Sequence, residues 1–150
     1  MANEPIYVGP DKIHLSWEMV KAETVFTGFR KEARARLILK PGTGRILING
    51  MLLDHAPNSL AREKILAPLR LDEKFAKKHD FLLKVKGGGV MGQAEACAMA
   101  IARAMAAASA SLKEKLLAFD RHLLVGDPRR TEPKKPNRRS ARRFKQKSYR

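Results

Sequence analysis

Between residues 32 and 40, apolar and polar positions alternate with a period of two. Ala33, Ala35, Leu37 and Leu39 fall on one face, and Arg34, Arg36 and Lys40 on the other. Such alternation marks a strand with one buried face, and its outer face is basic. The turn-forming run Pro41-Gly42-Thr43-Gly44 follows, then Arg45–Ile48, then an Asn49-Gly50 dipeptide. This pattern predicts a hairpin in which the second strand folds back on the first, with another tight turn beyond it. Asn58 or Ser59 can cap a helix running through Leu60, Ile65 and Leu66 and ending near Pro68. Phe81, Leu83 and Val85 alternate with Leu82, Lys84 and Lys86, giving a further strand that stops at Gly87-Gly88-Gly89. From Gln93 to Ser109 the chain is apolar nearly all round, broken by Gln93, Glu95 and Arg103, so this helix must be buried against a sheet. Leu112–Leu124 predicts a last amphipathic helix with Leu116, Leu117, Phe119 and Leu123 on its apolar side. The expected fold class is α+β, a β-sheet packed with helices, with no internal repeat.

Composition narrows the class of partner. A chain of 150 residues suits one core with extensions, and its 31 Lys and Arg against 15 Asp and Glu give a net charge of +16. Such an excess repels itself unless a polyanion neutralises it. No apolar run approaches the roughly 18 residues of a spanning helix, so no membrane partner is expected. Residues 1–24 mix both charge signs and carry no apolar signal core, which gives the expectation of a cytoplasmic chain. The single cysteine, Cys97, cannot form an internal disulfide and lies among small residues as a buried apolar side chain would.

The charge is concentrated. Residues 126–150 carry 11 Lys and Arg against 2 Asp and Glu, more than half of the net charge in one sixth of the length. Pro128, Pro133 and Pro136 hold the backbone extended there, and only Phe144 and Tyr149 are large. Nothing in this stretch can build a core, so it reads as an arm that orders on a partner. The expected organisation is an N-terminal extension over 1–24, a globular RNA-binding domain over 25–125 and an extended basic C-terminal arm over 126–150. Arg129, Arg130, Lys134, Lys135, Arg138, Arg139, Arg142, Arg143, Lys145, Lys147 and Arg150 can each displace a counterion from a nucleic-acid backbone. Arginine also forks onto phosphates and stacks on bases. The plain alternative is a solvated tail that serves solubility; interleaved prolines and aromatics favour a threaded arm.

Gly87-Gly88-Gly89-Val90-Met91-Gly92 satisfies G-x-G-x-x-G between a strand and a helix, where backbone amides can meet phosphate. No Lys-Ser/Thr pair follows, and the chain runs into another helix instead of a second βαβ unit, so an ATP-binding or kinase site is the lesser reading. A sharp turn and close helix packing need the same glycines. Arg30, Lys31, Arg34 and Arg36 form a second basic cluster, which Lys40 and Arg45 could extend along one phosphate path. His14, His55, His79 and His122 are scattered without ligand spacing, and no carboxylate pair or nucleophile arrangement emerges. The expectation is therefore no catalytic residue, no metal and no cofactor.

Longer strings are similar to one family. Gly28-Phe29-Arg30-Lys31-Glu32-Ala33-Arg34-Ala35 and Gly42-Thr43-Gly44-Arg45-Ile46-Leu47-Ile48-Asn49-Gly50 resemble two β segments of the small-subunit ribosomal protein S-nine family. Val85-Lys86-Gly87-Gly88-Gly89-Val90-Met91-Gly92-Gln93-Ala94-Glu95-Ala96 resembles that family's glycine loop and first long helix. Asp120-Arg121 and Gly126-Asp127-Pro128-Arg129-Arg130-Thr131-Glu132-Pro133-Lys134-Lys135-Pro136 resemble its approach to the arm, and Gln146-Lys147-Ser148-Tyr149-Arg150 its archaeal and eukaryotic ending. The chain departs from the family at Phe29, where lysine is usual, and at Glu32, where serine or threonine is usual; residues 1–24 match nothing in it.

The resemblance implies a left-handed βαβ crossover, as in the ribosomal S-five domain-two-like fold, and a structural protein of an archaeal-type ribosome. Its implied partners are small-subunit rRNA, neighbouring proteins of the subunit head and the anticodon stem-loop of peptidyl-site tRNA. The implied rRNA set is Arg30, Lys31, Arg34, Arg36, Arg45, Lys86, Gly87, Gly88, Gly89, Gln93 and the arm cations from Arg129 to Lys145. Lys147, Tyr149 and Arg150 are the implied tRNA set.

Overall fold

The computed structural model describes residues 24–143. Nine elements follow in chain order: β1 (Val25–Arg30), β2 (Ala33–Pro41), β3 (Ile46–Ile48), β4 (Met51–Leu52), α1 (Ser59–Leu66), α2 (Glu73–Lys78), β5 (His79–Lys86), α3 (Val90–Ala108) and α4 (Ala110–Phe119). The strands form one sheet in the order β1-β2-β5-β3-β4. β2 is antiparallel to both its neighbours, β1 and β5, β3 runs parallel to β5, and β4 closes antiparallel on β3. This is a mixed α+β fold, and its core lies between the sheet and α3, where Ala33, Ala35, Leu37, Phe81 and Leu83 meet Ala96, Ala100, Ile101 and Ala104.

The expected β2–β3 hairpin does not form. Asp80, at the start of β5, accepts the backbone amides of Thr43, Gly44 and Arg45 at 2.8, 3.0 and 2.9 Å, and the Gly42 amide donates to the Lys78 carbonyl. A nest of amides around one carboxylate wraps the turn over the end of β5. β3 is thereby delivered to the far side of β5, where Phe81 N donates to Arg45 O at 2.8 Å. Burial works against ionisation of Asp80, but the three amides and the charge of Arg45 outweigh it and lower its pKa. The second tight turn is present as expected. Asn49 and Gly50 both have positive φ, 51° and 87°, the geometry that a two-residue hairpin requires. The Asn49 side chain then bonds both Val85 N and Val85 O, extending the β3–β5 ladder by one side-chain rung.

Helix limits follow their caps. Asn58 accepts Ala61 N and starts α1, which buries Ala61 and Ile65 and leaves Leu60 exposed, so its inner face is narrower than the leucines suggested. Asp72 caps α2 through Lys74 N and Phe75 N. α3 begins at Val90, three residues before the expected start, because Gly89 is already its N-cap. α4 ends at Phe119 instead of continuing to Leu124. Asp120 there accepts His122 N and opens a separate 3-10 turn, Arg121–Leu123, while Leu117 and Phe119 stay exposed and only Leu112 and Leu116 are buried.

One contact sets how α3 lies on the sheet. A Cβ at Gly28 of β1 would stand 2.1 Å from Ala96 O and 2.8 Å from Ala100 N, so helix backbone rests on strand backbone. Neither partner is a side-chain end that could turn aside, and overpacking of that kind destabilises by roughly 1–3 kcal/mol. Gly28→Ala should therefore cost about 3 kcal/mol in denaturant unfolding, at the upper end of that range; a loss below about 0.5 kcal/mol would contradict the close packing.

Candidate RNA interface

The sheet face turned away from α3 is the first part of the site. Strand alternation puts Arg34 and Arg36 of β2 and Lys84 and Lys86 of β5 on that face, and all four are exposed. The register sets Arg34 directly opposite Lys86 and Arg36 directly opposite Lys84. Like charges facing each other across a sheet are unfavourable, so these two rungs raise the gain from a bound anion. Together with Asn49 they line a shallow groove. Lys84 was missing from the set read from the sequence, although its alternation with Leu83 and Val85 already put it on the face of Lys86. The next rung, Ile38 opposite Leu82, is apolar and half-buried. Arg45 lies beyond it at the other end of β5, 3.7 Å from Asp80, so the structure does not join it to the Arg34–Arg36 cluster.

The glycine loop seats against the β1–β2 turn. Gly87 and Gly88 have φ of 75° and 66°, and added Cβ atoms would stand 2.5 Å from Glu32 O and 2.9 Å from Ala33 N. Turning and close packing thus account for these two, whereas a Cβ on Gly89 would meet nothing within 4 Å. Lys31, at the tip of the turn with φ 53°, lies at the same end of the molecule as Arg34, Lys86 and the start of α3. Gln93 donates its side-chain amide to Gly87 O at 3.1 Å and braces the loop. No side chain caps the N-terminus of α3, and its first residues Val90 and Met91 are exposed. Backbone amides and the helix dipole there favour an anion.

The base of the arm converges on the same end. Arg103 of α3 donates to Leu124 O at 3.3 and 3.2 Å and to Thr27 O at 2.7 Å, and its guanidinium lies 5.8 Å from the centre of the Phe29 ring. Gly126 passes so close to Phe29 that a Cβ would stand 2.0 Å from the ring. Asp127, 6% exposed, accepts Arg129 N at 2.8 Å and takes the Arg129 guanidinium at 2.8 and 2.6 Å. Arg30 sits between carboxylates: its Nε donates to Glu95 at 2.6 Å, and its buried Nη1 is 2.9 Å from Asp127, an ion pair by distance without hydrogen-bond alignment. Arg130 pairs with Glu32 at 3.3 Å. Arg103 links Leu124 to Thr27, and Gly126, Asp127 and Arg130 then meet Phe29, Arg30 and Glu32 in turn, so the chain follows the edge of β1 in the same direction. An exposed strand edge is covered in this way.

Arg30 and Gln93, both expected among the RNA contacts, also brace the protein's own scaffold. The first residues of the arm, 126–130, lie against the body, where Phe29, Arg30 and Glu32 supply a ring, a cation and a carboxylate for them. Further out, Lys134, Lys135, Arg139, Arg142 and Arg143 are exposed, and Arg138 is half-buried. Asn137 has φ 58°, and beyond it Arg142 returns to Glu132 in a forked ion pair that lowers the glutamate pKa. Lys145, Lys147, Tyr149 and Arg150 lie outside the described residues. Burial pushes the Cys97 thiol up to about 12, so it stays a neutral core side chain. Among the described residues no helix is long and apolar enough to cross a membrane.

Comparison with known proteins covers the same ground. A family model described as ribosomal protein S9/S16 matches residues 28–150. The chain is 48% identical over 128 residues to small ribosomal subunit protein uS9 of Desulfurococcus amylolyticus, covering 84% of this chain and 91% of that protein. Against the protein of the same name from Sulfurisphaera tokodaii it is 48% identical over 124 residues, 81% and 90% of the two chains. Against that from Aeropyrum pernix it is 44% identical over 149 residues, 87% and 99%.

The geometry at Asp127 has a pH signature. Side-chain and backbone hydrogen bonds from Arg129, aided by the charges of Arg129 and Arg30, hold its carboxyl well below the ordinary 3.8 against the opposing effect of burial. A depressed carboxylate pKa contributes stability that is complete above 3.8 and is lost as pH falls through the folded-state value. In a carboxyl-carbon NMR titration Asp127 should have its midpoint below 3.8. A midpoint at or above that value would contradict the arrangement.

Proposed function

The chain belongs to the ribosomal protein S9/S16 family, and from that premise we propose that it binds rRNA in the head of the small subunit and reaches peptidyl-site tRNA with its C-terminal arm. It is a structural protein of the small ribosomal subunit, not an enzyme, and its relatives are archaeal. Its place is on the ribosome in the cytoplasm, with rRNA and neighbouring head proteins as partners.

The observation that carries the RNA reading is the convergence of three features at one end of the sheet. These are the like-charge rungs Arg34/Lys86 and Arg36/Lys84, the glycine loop with the uncapped start of α3, and the base of the basic arm. In this reading Lys31, Arg34, Arg36, Lys84, Lys86 and the amides around Gly87–Gly89 track backbone phosphate and set position, while Arg45 makes a separate contact at the opposite end. Such contacts fix register without reading sequence. Folded RNA would be recognised by its shape and backbone.

Residues 126–150 then act as the working arm of a body spanning 25–125, with 1–24 as an extension. Arg129, Arg130, Lys134, Lys135, Arg138, Arg139, Arg142, Arg143 and Lys145 follow rRNA, and the ion pair of Arg142 with Glu132 is exchanged for phosphate when the arm threads. Lys147, Tyr149 and Arg150 meet the anticodon stem-loop. The same reading gives the β3-to-β5 crossover a left-handed sense.

Two experiments test this. Neutralising Lys134, Lys135, Arg138, Arg139, Arg142 and Arg143 to glutamine should flatten the dependence of log affinity for small-subunit rRNA on log salt by roughly 4 to 5, at about 0.7–0.9 per phosphate contact. A full slope in that variant would remove the arm from the RNA contacts. Arg150→Ala should weaken peptidyl-site tRNA binding in subunits that still assemble, and unaltered tRNA binding would refute the proposed contact at the terminus.

A further inference from the structure

Asp127 is a poor fit to a segment whose work is to meet polyanions. It is the one buried charged residue among those described, it lies in the most basic stretch of the chain, and it brings a negative charge to the point where the arm begins. Burying a carboxylate is unfavourable unless cations and hydrogen bonds surround it. Asp127 has both: Arg129 through backbone and side chain, and Arg30 at 2.9 Å. Arg30 is in turn fixed by Glu95 of α3, so a line of alternating charges, Glu95, Arg30, Asp127 and Arg129, runs from the central helix across β1 into the arm.

That line is more than a local ion pair because its members belong to three separate segments. Glu95 is carried by α3, which rests on β1 backbone at Gly28; Arg30 ends β1; Asp127 and Arg129 belong to the arm. Gly126 against the Phe29 ring and Arg130 with Glu32 hold the same stretch one residue before and three residues after Asp127. The arm therefore leaves the body along one line, beside β1 toward the glycine loop, before any RNA is bound. Fixing a segment in its bound direction removes part of the ordering cost of association.

We propose that Asp127 is a positioning residue: by bridging Arg30 and Arg129 it aims the arm from its root, so that this acidic side chain strengthens binding to an acidic partner. The inference rests on the RNA-binding reading given above. Its consequence has a sign opposite to simple electrostatics. Asp127→Asn raises the net charge by one and releases Arg129, which by charge alone would tighten RNA binding and steepen its salt dependence. Loss of aim instead weakens binding.

The test compares the full chain with its Asp127→Asn variant for affinity to small-subunit rRNA at fixed salt. In parallel, spin labels at Glu114→Cys and Thr131→Cys, both exposed sites, report the distance between body and arm root in the free protein; Cys97 is buried and takes no label. The expected result is a narrow distance distribution in the parent and a broad one in Asp127→Asn, with affinity about tenfold lower. Equal or tighter RNA binding by a folded Asp127→Asn variant would overturn the proposal, as would an unbroadened distance distribution. Should the asparagine variant fail to fold, Asp127→Glu keeps the charge and lengthens the reach; it should broaden the distribution and weaken binding, and parent-like behaviour in both would overturn the proposal. If the parent itself shows no salt-dependent rRNA binding, the RNA reading fails, and the label distances still decide whether Asp127 fixes the arm.

Discussion

The backbone-to-backbone contact of α3 with β1 at Gly28 is the constraint on which the other features depend. Because no side chain intervenes, α3 is set down close beside the edge strand, and its polar residues end up within reach of that edge. Glu95 takes the Arg30 guanidinium, and Arg103 reaches past the strand to the Thr27 and Leu124 carbonyls. The arm root has a fixed direction because the helix that holds it has a fixed height above the sheet. The small residues along α3 serve that approach, and the glycine loop before it gives the chain the positive-φ turn needed to enter the helix at that position.

Charge is sorted by a simple rule. Carboxylates in the interior or at turns hold backbone and cations of the protein itself: Asp80 gathers the turn before β3, Glu95 and Asp127 hold Arg30, and Asp72 and Asp120 begin helical turns. Cations on the outer sheet face and along the arm are left in positions where their nearest neighbours in the fold include other cations. The net charge of +16 is an excess that a polyanion would neutralise.

Much of this was legible in the sequence. Period-two alternation found β2 and β5, the unbroken apolar run found α3, and the proline- and arginine-rich ending marked the arm. The β2–β3 hairpin was misread because a turn signal says where the chain reverses, not which strand it then pairs with. That choice was made by Asp80, some 35 residues away in sequence from the amides it collects. β1 and α2 were missed for a different reason: six residues each are too few to establish a period, and the inward positions of β1 include Gly28 and Arg30, neither of which reads as apolar core. α4 was drawn too long because Asp120 looks like any surface acid until its side chain is seen capping the next turn. Of the site, the cation-bearing face was visible from alternation alone, although Lys84 was passed over. The internal use of Arg30 and Gln93 was not visible, since it depends on contacts across 65 residues and on the shape of the glycine loop.

The central claim is that the first part of the arm belongs to the body and leaves it along β1 without help from RNA. Backbone nitrogen relaxation of the free full-length protein tests this most directly. The account expects order parameters near those of a rigid backbone, about 0.85, from Leu124 through Arg130, with any fall confined to later residues. Values below about 0.6 beginning at Gly126 would contradict it and return the whole arm to a segment that acquires its direction only on the ribosome.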